Sequence, residues 1–205
     1  MEYHGQIHQD KWVIDYFGEN YKGFFIDIGA NDGVNISNTY VLEKLGWSGV
    51  CVEANSEYKD VLPRNRKNSQ CILSAISDYD GKCHFHNNGL FGRIGEPNGV
   101  TDCMTMKTLL IATDSPKIID YLSIDVEGAE LKVLKGIPFN EYKFKLLTIE
   151  HNAYAYGRKL KDDIFEFLTP LDYIRVVEIN GDFKHIPMGQ EDWYIHKDYI
   201  KLANH

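Results

Sequence analysis

Carboxylates that end apolar runs are the side chains in this sequence best placed to do chemistry. Phe24-Phe25-Ile26 leads into Asp27-Ile28-Gly29-Ala30-Asn31-Asp32-Gly33, and Val50-Cys51-Val52 ends in Glu53. A short apolar run reads as a buried strand and glycines permit a tight turn beside a ligand. An acid about 20 residues later, closing a second such strand, can accept hydrogen bonds from both ribose hydroxyls. The pattern departs from G-x-G-x-x-G, because Asn31 replaces the middle glycine and Asp27 adds a negative charge at the strand end. That charge opposes a pyrophosphate and favours an ammonium. A nucleoside cofactor with an amino-acid ammonium and no phosphate, S-adenosylmethionine, meets both conditions. The plainer explanation is a strand-to-helix turn whose Asn and Asp cap the next helix; it leaves Glu53 unexplained.

Three further acids lie together in Asp125-Val-Glu127-Gly-Ala-Glu130, after the apolar run at 119–124, and Glu150-His151-Asn152 closes the run that begins at 143. Ligands of a doubly wound sheet sit beyond the carboxyl ends of its strands, so residues just after each strand outrank the rest. That rule puts Asp27, Gly29, Ala30, Asn31 and Gly33 around the methionine moiety and Glu53, with Ala54, at the ribose. Ser74, Ala75 and Ile76 would border adenine. Glu127 and Glu130 equally suit the N-terminus of the next helix through its dipole, and Gln9 and Asp10 either close over the donor or start a helix.

Asp27-Ile-Gly-Ala-Asn-Asp-Gly33, Trp47-Ser-Gly-Val-Cys-Val-Glu53, Asp125-Val-Glu-Gly-Ala-Glu130 and Glu150-His151-Asn152 resemble, in order, the motifs of the FkbM family of S-adenosylmethionine-dependent methyltransferases. Gln6-Ile-His-Gln-Asp10 resembles the segment that precedes the first strand in many members. Glu53-Ala54 stands where the family commonly has Glu-Pro, which alters the local turn and leaves the ribose role intact. The resemblance implies a class I methyltransferase fold, S-adenosylmethionine as donor, and often a sugar or glycoconjugate hydroxyl as acceptor.

Methyl transfer to a hydroxyl requires the oxygen in line with the methyl–sulfur bond and removal of the hydroxyl proton. Asp125 should face the sulfonium methyl, also contacting the cofactor, and Asp125, Glu150 and His151 would converge from adjacent strand ends. They suit either of two roles, a histidine base supported by acids or a divalent cation, Mg²⁺ or Mn²⁺, that acidifies the bound hydroxyl. Tyr154, Tyr156 and Arg158, with Asn38 and Tyr40 from the first helix and Glu127 nearby, could hold the sugar ring. As an exposed aromatic edge the tyrosines need no ligand. Two other readings are a nicotinamide-dependent sugar-modifying oxidoreductase, disfavoured by Asp27 and Asn31, and a non-catalytic module that partners a glycan-assembly enzyme.

The elements that must position these residues follow from periodicity. Apolar runs alternate with helical patterns, which implies an α/β, doubly wound, Rossmann-like and mostly parallel sheet. Strands are expected near 24–28, 49–53, 70–76, 119–125 and 143–150, with a C-terminal antiparallel hairpin of 173–179 and 191–196 turning at Asn180-Gly181. Val41, Leu42 and Leu45 mark the first helix face; Leu160, Ile164, Phe165 and Leu168 mark the last. Residues 87–101 are too rich in glycine for a buried strand or a helix, and read as a mobile loop or surface excursion near the acceptor site.

The chain of 205 residues, 43% hydrophobic and 13% aromatic, suffices for one well-cored domain over 1–205 with a lead-in at 1–20. It could also be a module of a longer polypeptide. A net charge of −8 argues against nucleic-acid binding. The one short basic cluster, Arg64-Asn-Arg66-Lys67, is explained by the end of a helix, where cations suit the dipole. The 4 cysteines show no C-x-x-C pair and read as core residues of a reducing compartment. No stretch is long and apolar enough to span a membrane, and Met1-Glu-Tyr-His-Gly5 lacks a signal-peptide core, so a soluble cytoplasmic protein is expected.

Overall fold

The computed structural model describes residues 1–87, 92–95, 99–179 and 189–201. Its main sheet is built by β1 (Phe24–Ile28), β2 (Ser48–Glu53), β3 (Ser69–Leu73), β8 (Ile118–Ile124), β9 (Lys143–Glu150), β10 (Tyr173–Arg175) and β11 (Glu191–His196). These lie in the order β10-β11-β9-β8-β1-β2-β3. The run from β3 to β9 is parallel, and β11 is antiparallel to both neighbours. This is the class I methyltransferase fold. The order reverses between β1 and β8, so a crevice opens beyond their carboxyl ends, where Asp27 and Asp125 lie.

Strands buried on both faces explain the continuous apolar runs. Ile26, Ile28, Val50, Leu122, Ile124, Leu147 and Ile149 pack on one side with α4 (Met106–Ala112), α5 (Glu130–Lys135) and α7 (Lys159–Leu168). Phe25, Cys51, Tyr121 and Leu146 pack on the other with α1 (Gln9–Phe17), α2 (Tyr40–Lys44) and Leu62 of α3 (Val61–Asn65). Trp12 of α1 stacks on Trp193 of β11, with ring centroids 4.8 Å apart, which fixes the N-terminal helix to the sheet. Two short helices, α6 (Ala153–Tyr156) and α8 (Val176–Ile179), follow β9 and β10.

Three expectations need correction. The run at 70–76 is two strands, because the chain leaves the main sheet at Ser74 and continues as β4 (Ala75–Ser77) in a second sheet. That sheet adds β5 (Gly81–His86), β6 (Arg93–Ile94) and β7 (Gly99–Thr105) in the order β4-β7-β5-β6. The segment 87–101 therefore contributes one short strand and the start of another, both poor in fully buried side chains; residues 88–91 and 96–98 lie outside the described part. Residues 176–179 form α8 rather than a continuation of β10, since Val176 turns into the core. Asn180-Gly181 lies outside the described residues. The cysteines are all free; Cys51, Cys83 and Cys103 are buried, and Cys71, on the edge strand β3, is half-exposed. No described helix is long and apolar enough to cross a membrane.

Candidate active site

Beyond the ends of β1, β2 and β8 lies a cleft lined by Gly29, Asn31, Glu53, Ala54, Ser74, Ala75, Ile76, Asp125 and Glu127. The second sheet supplies the opposite wall through Phe85, Gly92 and Ile94. Glu53 is held by two backbone donors: Asn31 N reaches Oε2 at 2.8 Å and Asn55 N reaches Oε1 at 2.7 Å. Burial raises its carboxyl above the usual range, while those amides draw it back. The acid is thus fixed in place, with lone pairs left on both oxygens for a diol.

The glycine-bearing turn is shaped by the protein itself. A Cβ on Gly29, whose φ is +95°, would lie 1.8 Å from the Asp125 carbonyl oxygen, so this residue lets β1 and β8 cross closely. At Gly33, with φ +80°, a Cβ would meet Arg66 Cγ at 2.6 Å and Leu62 Cδ1 at 2.7 Å. Gly29 also lines the cleft, whereas Gly33 packs against the protein itself. Gly33 makes room for Arg66, whose guanidinium is fully buried against Phe25. It donates from Nε to Glu43 at 2.9 Å, from Nη2 to Thr39 Oγ1 at 2.9 Å, and from Nη1 to Ser37 Oγ and the Gly33 carbonyl. Thr39 in turn donates to Asp27, so one arginine braces the whole segment 33–39 behind the cleft. The dipole explanation for the 64–67 cluster fails for Arg66, which caps α3 by position but sends its side chain inward.

At the ends of β8 and β9 the acids crowd. Asp125, Glu127 and Glu150 each present an oxygen within 4.8 Å of the others. Burial raises the Asp125 carboxyl; Glu150 is pushed up to about 11 by burial and by the Asp125 charge beside it. Two carboxyls this close share a proton at neutral pH. Burial, and then Asp125, push Glu127 up to about 7, and burial takes Glu130 there too, although Glu130 accepts hydrogen bonds from Val126 N and Gly128 N. Glu191, opposite Glu150 in the β9–β11 register, is buried and pushed up to about 8 despite donors from Trp193 and Gln9. Sequence reasoning missed Glu191, because only the register brings it here.

Glu127 is held at a φ of +54°, a conformation unusual for a side chain that gains nothing local from it. Its position has a consequence. Glu127 borders both the main cleft and an outer cleft lined by Arg93, Glu130, His151, Asn152, Tyr156, Lys159 and Asp163. Asn152 donates from Nδ2 to Glu127 at 3.4 Å.

The expected convergence of His151 with Asp125 and Glu150 does not occur. His151 lies one residue past β9, where its N and Asn152 N share the Gln190 carbonyl and the regular ladder is interrupted. His151 Nε2 sits 3.7 Å from Asp192 Oδ2, and its Nδ1 accepts from Ala153 N. Asp192 also pairs with Lys161 at 3.2 Å and Arg175 at 3.3 Å, and these cations, with the His151 ring, hold its carboxyl below the usual range against burial. Among the acceptor candidates, Tyr156 lines the outer cleft; Tyr154 and Arg158 line a separate groove with Lys161 and Asp192. Tyr40 packs against His4 and borders none of these clefts. Asn38 faces an inner recess beside Asp27 instead of the acceptor. Gln9 and Asp10 are buried in hydrogen bonds to Glu191 and to His4 N, respectively.

Residues 100–175 match the methyltransferase FkbM domain, a segment that runs from β7 to β10 and contains the Asp125 and Glu150 motifs. No curated protein matches the chain. Similar solved structures include a methyltransferase from Geobacter sulfurreducens at 12% identity and TM-score 0.51, covering 91% of this chain and 77% of that one. A TehB-like SAM-dependent methyltransferase from Corynebacterium glutamicum aligns at 12% identity and TM-score 0.50, over 92% and 88%. The human methyltransferase 10 domain containing protein does so at 12% and 0.50, over 92% and 79%. At such identities the likeness is one of fold. The domain match and the shared fold together support S-adenosylmethionine-dependent methyltransferase chemistry.

Proposed function

We propose that this methyltransferase acts on a hydroxyl of a sugar, carried by a glycan or glycoconjugate. The observation that carries the reading is Glu127, the side chain common to the cleft that fits the donor and the outer cleft beside it. The outer cleft offers carboxylates, an amide, Arg93, Lys159 and the ring of Tyr156, a combination that suits a polyhydroxylated acceptor with one apolar face.

In the reaction the acceptor oxygen forms a bond to the methyl carbon as the carbon–sulfur bond breaks, leaving S-adenosylhomocysteine. The hydroxyl proton passes to a carboxylate. Glu127 is the base in this reading, with Asp125 and Glu150 holding a shared proton behind it. Most of the acceleration comes from alignment, since both clefts meet at one residue. A second reading has Asp125, Glu127 and Glu150 hold a divalent cation; the buried Glu150 Oε2, which has no hydrogen-bond partner, favours it. The three oxygens suit Mg²⁺ or Mn²⁺, which would lower the pKa of a hydroxyl bound there. The earlier donor set with His151 is replaced, because that ring faces Asp192.

Isotopically labelled S-adenosylmethionine incubated with a glycan array tests the reaction and the acceptor together. Label on glycans from the parent protein, and little from Glu127→Gln, is the expected result. Donor binding with no transfer to any glycan would favour a non-catalytic module. Transfer abolished by exhaustive chelation and restored by Mg²⁺ or Mn²⁺ would select the cation reading over the base.

A further inference from the structure

A groove lies across α6 from the outer cleft. Tyr156 and Lys159 line the cleft, whereas Tyr154, Arg158 and Lys161 line the groove, so residues 153–161 form the ridge between the two. Arg175 of β10 and Asp192 of β11 meet the groove from the sheet. Its charge is opposite in sign to that of the main cleft. The charged residues lining the main cleft are the acids Glu53, Asp125 and Glu127; those described along the groove are Arg158, Lys161, Arg175 and a single acid, Asp192.

Asp192 is buried and shared, with Lys161 at 3.2 Å from Oδ1 and Arg175 at 3.3 Å from Oδ2. One carboxylate offsets one of these charges, so the described lining stays cationic on a chain of net charge −8. A structural network that ties α7 and β10 to β11 accounts for Lys161, Arg175 and Asp192. It does not account for the rim. The Arg158 side chain is 76% exposed, and its pair with Asp162, 3.5 Å away and one turn on, is open to water and weak. Tyr154, on the same side of the ridge, is 73% exposed. Neither fills the core. A guanidinium presents a planar fork of donors that matches a carboxylate or a phosphate, and a tyrosine ring offers a face to a sugar.

We propose that this groove binds an anionic group of the acceptor, a carboxylate or a phosphate on the part that extends past α6, and that Arg158 selects it. This rests on the glycan reading above and narrows the acceptor to an acidic glycan. Arg175 lies 4.3 Å over the Phe165 ring, so with Asp192 it is fixed before a ligand arrives, and a preordered cation loses little freedom on binding. Arg158 completes the site from the rim.

Labelled S-adenosylmethionine with matched acceptors tests it: uronic-acid glycans and phosphorylated glycans, each beside its neutral parent. With one of the two anionic classes, kcat/KM should exceed that of the neutral parent by about tenfold or more, the scale of a hydrogen bond to a charged group, and the class that does so identifies the anion. Arg158→Glu reverses the rim charge and puts an acid where a helix start accepts one, and it should lose most of that preference, chiefly through KM. Arg158→Gln should lose a smaller part, and thermal unfolding establishes that both variants fold. Equal kcat/KM for neutral and anionic members in the parent, or full preference in Arg158→Glu, overturns the assignment while leaving the glycan reading intact. If the glutamate variant does not fold, full preference in Arg158→Gln overturns it. No transfer to any glycan, neutral or acidic, would sink both.

Discussion

Replacing Arg66 by methionine tests whether the donor cleft is braced from behind. The side chain is fully buried and makes four hydrogen bonds, to Glu43, Thr39, Ser37 and the Gly33 carbonyl. Methionine fills much of the same volume over Phe25 but leaves the Glu43 carboxylate, 3% exposed, without its cation, and Asp27 without the nearby positive charge. Breaking a buried ion pair on one side costs about 3–5 kcal/mol. A domain this size has about 5–15 kcal/mol in all, so the variant should fold with a much lower urea midpoint. The pH dependence gives the signature. Burial alone would raise Glu43, yet Arg66, Ser69 and the Asn68 amide bring it below its ordinary 4.5. A carboxyl lowered by folding adds stability that is present above its unfolded value and is lost as pH falls through its folded value. The gap between parent and variant should therefore be widest near neutrality and narrow once pH drops below about 4.5. Asp27 acts in the same direction, because burial raises it and Arg66 opposes that rise. Urea titrations from pH 3 to 7, with Arg66→Lys as a charge-preserving control that cannot reach all four acceptors, supply the numbers. A midpoint unchanged in Arg66→Met, or a gap independent of pH, would refute the bracing argument.

Glu53→Ala removes the acceptors assigned to the ribose and should weaken S-adenosylhomocysteine binding in calorimetry by roughly tenfold or more; parental affinity would show that the diol lies elsewhere. Gly29→Ala should lower the unfolding temperature sharply, since the new Cβ would sit 1.8 Å from the Asp125 carbonyl oxygen; a variant as stable as the parent would refute that packing account. On a confirmed acceptor, Glu127→Gln should slow transfer by about 10²-fold or more, and His151→Ala by less than tenfold because the ring faces Asp192. The reverse ranking in single-turnover rates would restore histidine as the base.

What the sequence revealed and what it withheld divide along the range of the interactions involved. The core strands were legible because burial on both faces writes itself as consecutive apolar residues, and β1, β2, β8 and β9 lie within a residue of the expected 24–28, 49–53, 119–125 and 143–150. Strand ends singled out Asp27, Glu53, Asp125 and Glu150, which the parallel topology sets at the carboxyl ends of four neighbouring strands. The second sheet was not legible: β5 and β7 are largely exposed and glycine-bearing, and their pairing, Gly81 with Cys103 through Phe85 with Gly99, depends on residues far apart in sequence. Arg66 was hidden for a related reason. Four residues, Arg64 to Lys67, look like one basic cluster, and only contacts to Gly33, Ser37, Thr39 and Glu43 distinguish the buried member from its solvated neighbours. His151 failed differently, because it lies one residue past β9, where the regular ladder is interrupted and the ring faces Asp192. Glu127 joins Asp125 and Glu150 from the turn after β8, at a φ of +54°, which no strand period encodes.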